Sequence, residues 1–289
     1  MTDAIQRMIE EEDQHVQVAE TAIAAITRSE VEAQLTAAHR FPRSVSKFLK
    51  KATTLATITR EVAESCIYSV PRDGKMITGP SVRLAEIAAS SYGNLHFGAR
   101  VVDVGETDIT AQGIAWDLEG NVRVTVETKR RITSRNGRRF SDDMIVMTGN
   151  AACSIALRNA LFRVIPRAYI DGVYQNARAL AVGDAKSLAD RRADFLARLA
   201  KLGVSQERVL LRLSKTGVED IGVEDLEVLI GLGNSIRSGE LKLDDAFPSV
   251  APAVAAPAQD GQRIKMGPKK DAPQGATGPA APMREPGDD

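Results

Sequence analysis

Residues 94–167 decide the fold and read NLHFGARVVDVGETDITAQGIAWDLEGNVRVTVETKRRITSRNGRRFSDDMIVMTGNAACSIALRNALFRVIPR. Three extended segments come first: Leu95 to Val104, Ile109 to Trp116 and Val122 to Ile132. The turns between them are centred on residues 105–108 and 119–121. Such short turns predict an antiparallel meander. In the third segment Val122, Val124 and Val126 face one way and the charged residues face the other, which predicts a sheet with one packed and one exposed face.

A long helix follows the third segment. Ser141, Asp142 and Asp143 are typical of a helix N-terminus, and Pro166 ends the helix at Ile165 because a proline disfavours helical geometry in the residue before it. The helix has an apolar stripe and small residues that allow close packing on the sheet: Ile145, Gly149, Ala151, Ala152, Ile155, Ala156 and Phe162. We therefore predict an α+β fold with a β-β-β-α core, in which an antiparallel meander of three to four strands packs on one long helix.

The third strand and the reversal after it concentrate positive charge. Between Val122 and Arg139 the chain has seven Lys or Arg residues and one acid, Glu127, although the 289 residues together have a net charge of 0. Asn136-Gly137 predicts the reversal, and Arg158, Arg163 and Arg167 lie on or just after the long helix. A solvated face is the alternative, but cations clustered on one element of a neutral protein favour binding to the phosphates of a nucleic acid. Four aromatic residues near these elements are candidates either for stacking on bases or for core positions: Tyr68, Phe140, Tyr169 and Tyr174.

Upstream, the chain changes from acidic to basic. Residues 1–40 hold eight acids against three basic residues, with apolar residues at helical spacing, and predict one or two acidic amphipathic helices. Residues 41–60 hold five basic residues and no acid. Ser44 is the predicted N-cap of a helix there, and its lysines either form an exposed face or bind the acidic segment of a neighbouring copy: Lys47, Lys50 and Lys51. Opposite charges in adjacent segments suggest head-to-tail self-association into a ring or filament.

The remaining segments complete the predicted organisation. Short helices are expected from Glu61 to Tyr68 and from Gly79-Pro80 to Tyr92, the second ending at Gly93 as a left-handed cap. After a helix from Ala168 to Val182, the composition changes twice, and eight of the twelve prolines fall at or beyond Pro248. These changes predict four parts: an acidic helical segment 1–40, a core 41–183, a small helical module 184–247 and a disordered tail 248–289.

Several classes of function have little support in the sequence. There is no G-x-x-x-x-G-K-[ST] motif, which argues against an ATP-driven strand-exchange motor. Cys66 and Cys153 lie in apolar surroundings and predict buried thiols, and the three histidines have no metal-ligand spacing. No apolar run approaches the roughly 18 residues that span a bilayer, and the N-terminus lacks the pattern of a signal peptide. We expect a cytoplasmic protein without a membrane partner, metal or cofactor.

One enzyme pattern remains as an alternative. Asp117 with Glu127-Thr128-Lys129 fits the loose D…E-x-K pattern of magnesium-dependent nucleases, in which two carboxylates hold the metal and a lysine helps to activate water. The pattern is short and common. A ladder of solvated ion pairs on the exposed face of the sheet explains the same residues.

A family resemblance rests on two stretches. The helix sequence from Asn150 to Arg163 (NAACSIALRNALFR) after three strands, and the segment Ile77 to Glu86 (ITGPSVRLAE) before Tyr92-Gly93-Asn94, resemble the single-strand DNA-annealing proteins of phages and prophages, the RecT, Erf and Red-beta group. The resemblance covers roughly residues 41–182. It implies ATP-independent annealing in phage homologous recombination by an oligomer that needs no catalytic residue.

The resemblance also implies sites and partners. One DNA strand would be held through its phosphates along a basic groove, with the base edges outward. The terminal module and tail would recruit the host single-strand-binding protein or a companion exonuclease. The DNA-binding residues expected from charge and resemblance together are Lys47, Lys50, Lys51, Arg123, Lys129, Arg130, Arg131, Arg135, Arg138, Arg139, Arg158 and Arg163. The alternatives to annealing are the magnesium-dependent nuclease and an oligomeric scaffold without catalysis.

Overall fold

The structure is a computed structural model that describes residues 21–249 except 23, 135 and 184–187. The predictions for the first 20 residues and for the tail from residue 250 onwards lie outside the described residues.

The described residues before the sheet form four helices and one hairpin. In order these are α1 (residues 24–40), α2 (Val45–Ala56), α3 (Arg60–Ser65), β1 (Ile67–Arg72), β2 (Lys75–Pro80) and α4 (Val82–Tyr92). Ser44 caps α2 as predicted, because its hydroxyl accepts a hydrogen bond from the backbone N–H of Lys47. Gly93 follows α4 with a φ of 73°, which is the expected glycine cap.

The hairpin of β1 and β2 was not predicted. The helix expected to reach Tyr68 ends at Ser65, and Ile67–Arg72 pairs with Lys75–Pro80 in an antiparallel two-stranded sheet. Pro71 and Pro80 were interpreted as helix boundaries, but both strands of a two-stranded sheet are edge strands, where proline is tolerated. The helix expected to open at Pro80 begins at Val82, after the N-cap Ser81.

The predicted β-β-β-α core is confirmed. β3 (Leu95–Val104), β4 (Asp108–Asp117) and β5 (Val122–Arg131) form an antiparallel sheet in the order β3-β4-β5. The isolated bridge between Thr133 and Arg139 confirms the reversal after β5. α5 (Asp142–Val164) then packs against the sheet, chiefly on β4 and β5.

Small residues bring α5 against the central strand. Ala111 of β4 packs with Ala152 and Ala156 of α5 in a small buried cluster. A Cβ added to Gly113 would lie far inside van der Waals contact of the Ala156 backbone. The backbones of helix and strand therefore approach closely at this point, as the small residues of the sequence indicated.

The chain after α5 is helical. The elements are α6 (Arg167–Val182), α7 (Leu188–Lys201), α8 (Gln206–Leu213), a short 3-10 turn (Val218–Asp220), α9 (Val223–Arg237) and α10 (Leu243–Ala246). α9 lies on β1, where the Asn234 side chain donates to the Ile67 carbonyl and the Ser235 hydroxyl donates to the Ser69 carbonyl, both at 2.8 Å. The described parts of segments 41–183 and 184–247 therefore share one hydrophobic core.

α5 is the only helix among the described residues that is long and apolar enough to cross a membrane by length and composition. This differs from the expectation that no segment comes near that threshold. The helix contacts all three strands of the sheet, which is the environment of a core helix in a water-soluble fold. Cys66 is fully buried, as expected, and burial raises the pKa of its thiol to about 12; Cys153 is only partly buried.

The contact between α5 and β4 gives a first prediction. Gly113→Ala places a methyl group against the backbone of Ala156, and we expect it to lower the free energy of unfolding by about 1–3 kcal/mol or more. The measurement is urea denaturation followed by circular dichroism. Gly98→Ala on β3 is the matched control, because a Cβ there meets no atom within 4 Å and alanine is at least as stable as glycine in a strand. Equal stability of the two variants would contradict the close approach.

Candidate nucleic-acid interface

The register of the sheet divides the predicted DNA-binding residues of β5 between two faces. Gly113 faces α5 and pairs with Val126, and Ile109 on the same side pairs with Arg130. Because neighbouring residues in a strand point to opposite faces, Arg130 lies on the α5 side and three cations point away from the helix: Arg123, Lys129 and Arg131.

These three cations define the outer face of the sheet, on the side away from α5. All three are exposed, and the closest carboxylate to Lys129 is that of Asp108, at 4.0 Å. Trp116 pairs with Arg123 across the strands and lies beside His96 of β3, so the outer face carries aromatic rings as well as cations. An exposed ion pair of this length contributes little, and these cations are available to a ligand.

The hairpin tip after β5 carries three of the predicted DNA-binding arginines. Arg135 lies outside the described residues, and Arg138 is exposed. The Arg139 guanidinium donates to the backbone carbonyls of Gly105 at 2.7 Å and Glu106 at 2.8 Å. Arg139 therefore ties the tip to the β3–β4 turn and is engaged in the fold.

The second group of cations surrounds a groove between the β1–β2 hairpin and the C-terminal half of α5. This hairpin groove has a volume of about 440 Å³. Its wall on the hairpin side is Tyr68 and the segment 77–80. The opposite side is formed by Arg158, Asn159, Phe162, Arg163 and Arg167.

Arg158, one of the predicted DNA-binding residues, lies at the buried base of the hairpin groove. It is 8% exposed, its guanidinium lies 4.1 Å from the centre of the Tyr68 ring, and Nη1 is 3.3 Å from the Glu240 carboxylate. Burial raises the pKa of Glu240, and the positive charges of Arg158 and Arg130 oppose that rise. The Arg130 side chain also donates to the Glu240 carbonyl at 3.0 Å. Arg130 and Arg158 thus hold the loop around Glu240 in place and orient Tyr68.

The rim of the hairpin groove carries the accessible cations. Arg163 is exposed and has no ion pair with another described residue. Arg167 pairs with Asp171 at 2.8 Å, but its side chain is 75% exposed, so water screens the pair. Phe162 lines the same groove. Two cations beside two aromatic rings are suited to a polymer of phosphates and bases.

The lysines of α2 do not line this groove. Lys47 and Lys50 are exposed, and Lys51 donates to the Ser90 carbonyl at 3.2 Å. α2 packs against α4 and α6, away from the sheet. The structure therefore leaves these lysines on a separate surface.

The D…E-x-K residues do not converge. Asp117 faces the α5 side at the end of β4 and pairs with Val122. Glu127 lies five residues farther along β5, roughly 17 Å at strand spacing, and points to the outer face. Among the described residues, no group of three or more His, Cys, Asp and Glu side chains could hold a metal ion.

Asp117 has a structural partner that sequence separation concealed. The Arg43 guanidinium donates to both carboxylate oxygens of Asp117 and lies 3.7 Å from the centre of the Tyr92 ring. The backbone N–H groups of Glu119 and Gly120 also donate to Asp117, each at 3.1 Å. Burial opposes ionisation, but these hydrogen bonds outweigh it and hold the pKa of Asp117 below its usual 3.8. Through Arg43, the Asp117 carboxylate holds the connection between α1 and α2 against the end of the sheet.

Sequence reasoning missed the wall of the groove. Tyr68 was named only as one of four possible stacking residues, and it was placed at the end of a helix, whereas it lies in β1. The signal that could have identified the hairpin is Asp73-Gly74, which is typical of a two-residue β-turn between strands. Both residues have positive φ, 49° and 76°.

Comparison with known proteins adds no relative. The sequence matches no protein-family model, nor does the chain match any curated protein or any solved structure. A function has to be inferred from the fold and the arrangement of the site.

The Asp117 contacts predict an acid-dependent loss of stability. Because the pKa is lowered in the folded state, the ionised carboxylate stabilises the fold above about pH 3.8, and this contribution disappears as the pH falls through the folded-state pKa. Asp117→Asn is expected to cost about 3 kcal/mol near pH 7, since it leaves Arg43 buried without its charge partner. Urea titrations from pH 3 to pH 7 measure the difference from wild type, which should shrink below pH 4. A difference that stays constant with pH would contradict the assignment.

Proposed function

We propose that the protein binds single-stranded DNA in the hairpin groove and anneals complementary strands without ATP. The observation that carries the proposal is the combination in one groove of two exposed cations, Arg163 and Arg167, with the rings of Tyr68 and Phe162. Cations neutralise phosphates, and aromatic rings accept stacked bases of any sequence.

The arrangement favours a single strand over a duplex. In a duplex the faces of the bases are stacked on each other and cannot pack on protein aromatics, whereas the bases of a single strand are accessible. Tyr68 is held by Arg158 beneath its ring, so a stacking surface is already ordered before ligand binds. This pre-organisation lowers the entropy that binding costs.

The outer face provides a second cationic surface on the same chain. Arg123, Lys129 and Arg131 lie across the sheet from α5, so the two surfaces are separate sites and not one continuous groove. Annealing requires two strands to be brought together, and a protein with two phosphate-binding surfaces can hold one strand while concentrating another by electrostatic attraction. The three cations of the outer face are therefore assigned to the second strand.

The proposal places the protein in the class suggested by the resemblance to phage and prophage annealing proteins. In that setting it acts in the cytoplasm, as a homo-oligomer in a ring or filament, beside a single-strand-binding protein or a companion exonuclease. The nuclease alternative is not pursued, because Asp117 is engaged by Arg43 and lies far from Glu127.

The groove cations give a prediction about DNA binding. Arg163→Ala with Arg167→Ala should weaken binding of a fluorescent single-stranded oligonucleotide at least about tenfold at low salt, because two charge-assisted phosphate contacts are lost. The slope of log affinity against log salt should flatten by about 1.4. Fluorescence anisotropy at several salt concentrations measures both. The control replaces Arg28 of α1 and Lys201 of α7, exposed cations far from the groove in sequence, by alanine. If the control variant lost as much affinity as the groove variant, the loss would reflect the lower net charge of the protein and not a site in the groove.

The absence of a catalytic step gives a second prediction. Two complementary oligonucleotides should anneal faster with the protein than without it, in the presence of EDTA and without ATP, since positioning and charge screening need no metal. Loss of fluorescence from a donor and quencher pair measures the rate, and denaturing electrophoresis measures strand integrity. Cleavage that stops on chelation would overturn the proposal in favour of a nuclease.

A further inference from the structure

A second, less polar groove lies between the N-terminal half of α5, the end of β5 and the connection from α9 to α10. We call it the methionine groove; its volume is about 540 Å³. Its apolar lining consists of Phe140, Met144, Met147, Ile236, Leu241 and Leu243. Met147 is 62% exposed and Met144 is 39% exposed, which is unusual for large apolar side chains lining one cavity. Flexible methionines in an open groove are typical of surfaces that bind an amphipathic helix.

The charged residues that line the methionine groove are all positive. Arg130, Arg131 and Lys242 line it, and no Asp or Glu is among the lining residues in the described part of the chain. Arg130 is engaged by the Glu240 carbonyl. Arg131 is exposed, and Lys242 lies 4.5 Å from the centre of the Phe140 ring at the mouth. Asp244 lies nearby but pairs with Arg208 at 2.8 Å. The occupant should therefore present apolar side chains and carry negative charge.

Two long segments of the chain lie outside the described residues, and their sequences differ in net charge and in the spacing of apolar residues. Residues 250–289 have five acids, five basic residues and seven prolines, so this sequence is neutral and lacks the pattern of an acidic amphipathic helix. Residues 1–20 have six acids against one basic residue, Arg7. They place Ile5, Met8 and Ile9 at the spacing of one helix face. Charge and apolar pattern both favour residues 1–20 as the occupant.

The geometry of α1 favours binding to another copy. α1 is anchored near its C-terminal end, where Gln34 bonds to His96 of β3 at 3.0 Å and the Asn94 side chain donates to the Phe41 carbonyl at 3.0 Å. Residues 24–30 are exposed on every side, so this part of α1 extends away from the body of its own chain. β3 is also the edge of the sheet opposite β5, where the methionine groove lies.

We propose that residues 1–20 of one copy dock in the methionine groove of a second copy. The same contact repeated from copy to copy is head-to-tail, and it gives a ring or an open filament according to the rotation between subunits. The acceptor differs from the lysines of α2 that the sequence suggested. The proposal can be tested without nucleic acid, because the methionine groove shares no lining residue with the hairpin groove, although Arg131 of the outer face lines it.

The test uses two neighbouring residues of equal exposure. Met147 lines the groove, whereas Val146 does not, and each is 62% exposed. Met147→Glu puts a negative charge where an acidic segment should dock, and we expect the mass measured by light scattering at micromolar concentration to fall to that of one chain. Val146→Glu should keep the mass of the wild-type assembly. A monomeric wild type, an assembled Met147→Glu protein, or equal loss in both variants would overturn the proposal, provided thermal melting shows that both variants fold.

A crosslinking experiment identifies the occupant directly. A photo-crosslinking amino acid replaces Ile9 in the full chain, and this protein is mixed with isotope-labelled wild type before irradiation. Crosslinks from residue 9 to the labelled peptide containing Met144 and Met147 support docking between copies. Crosslinks confined to the unlabelled chain would show that the segment binds its own body, and crosslinks to Lys47, Lys50 or Lys51 would show that α2 is the acceptor; either result overturns the proposal.

Discussion

The close contact between α5 and β4 is the constraint on which the rest of the structure depends. At Gly113 the strand backbone meets the backbone of Ala156, and no side chain larger than hydrogen fits between them. A helix this close to the sheet presents its remaining faces to the β1–β2 hairpin and to the loop after α9. Arg158, Phe162 and Arg163 are consequently placed toward the hairpin, where they form one side of the groove.

A second close contact fixes the other side of the groove. Gly231 of α9 lies against the backbone of Ser69 in β1, where a Cβ would overlap the strand. The hydrogen bonds from Asn234 and Ser235 to β1 carbonyls fix the orientation of α9 on the strand. The loop after α9 then returns to α5, where Glu240 pairs with Arg158. α9 and the loop after it thus position both sides of the hairpin groove, although neither contributes a lining residue in the described part of the chain.

The elements of the β-β-β-α core, which depend on local sequence patterns, were predicted correctly. The period of two in β5 and the polar residues at the start of α5 identified the core to within a residue or two. Long-range pairs could not be predicted from local patterns, because Arg43 and Asp117 are 74 residues apart and Arg158 and Glu240 are 82 residues apart. These pairs give structural roles to Asp117, which was a metal ligand only in the nuclease alternative, and to Arg158, which was a candidate DNA-binding residue. The cationic cluster of β5 and the alternation that divides it between two faces were both visible in the sequence, and the register adds that Arg130 lies on the face that packs on α5.

Arg131 connects the two proposals. It lies on the outer face of the sheet with Arg123 and Lys129, and it also lines the methionine groove. An acidic segment docked there reduces the positive potential that a phosphate would meet at the same side chain. Because coupling between two binding sites is reciprocal, nucleic acid on the outer face must then weaken docking of the segment by the same free energy. In the proposed arrangement the hairpin groove shares no lining residue with the methionine groove, so a strand bound there would be compatible with assembly, whereas a strand on the outer face would compete with it at Arg131.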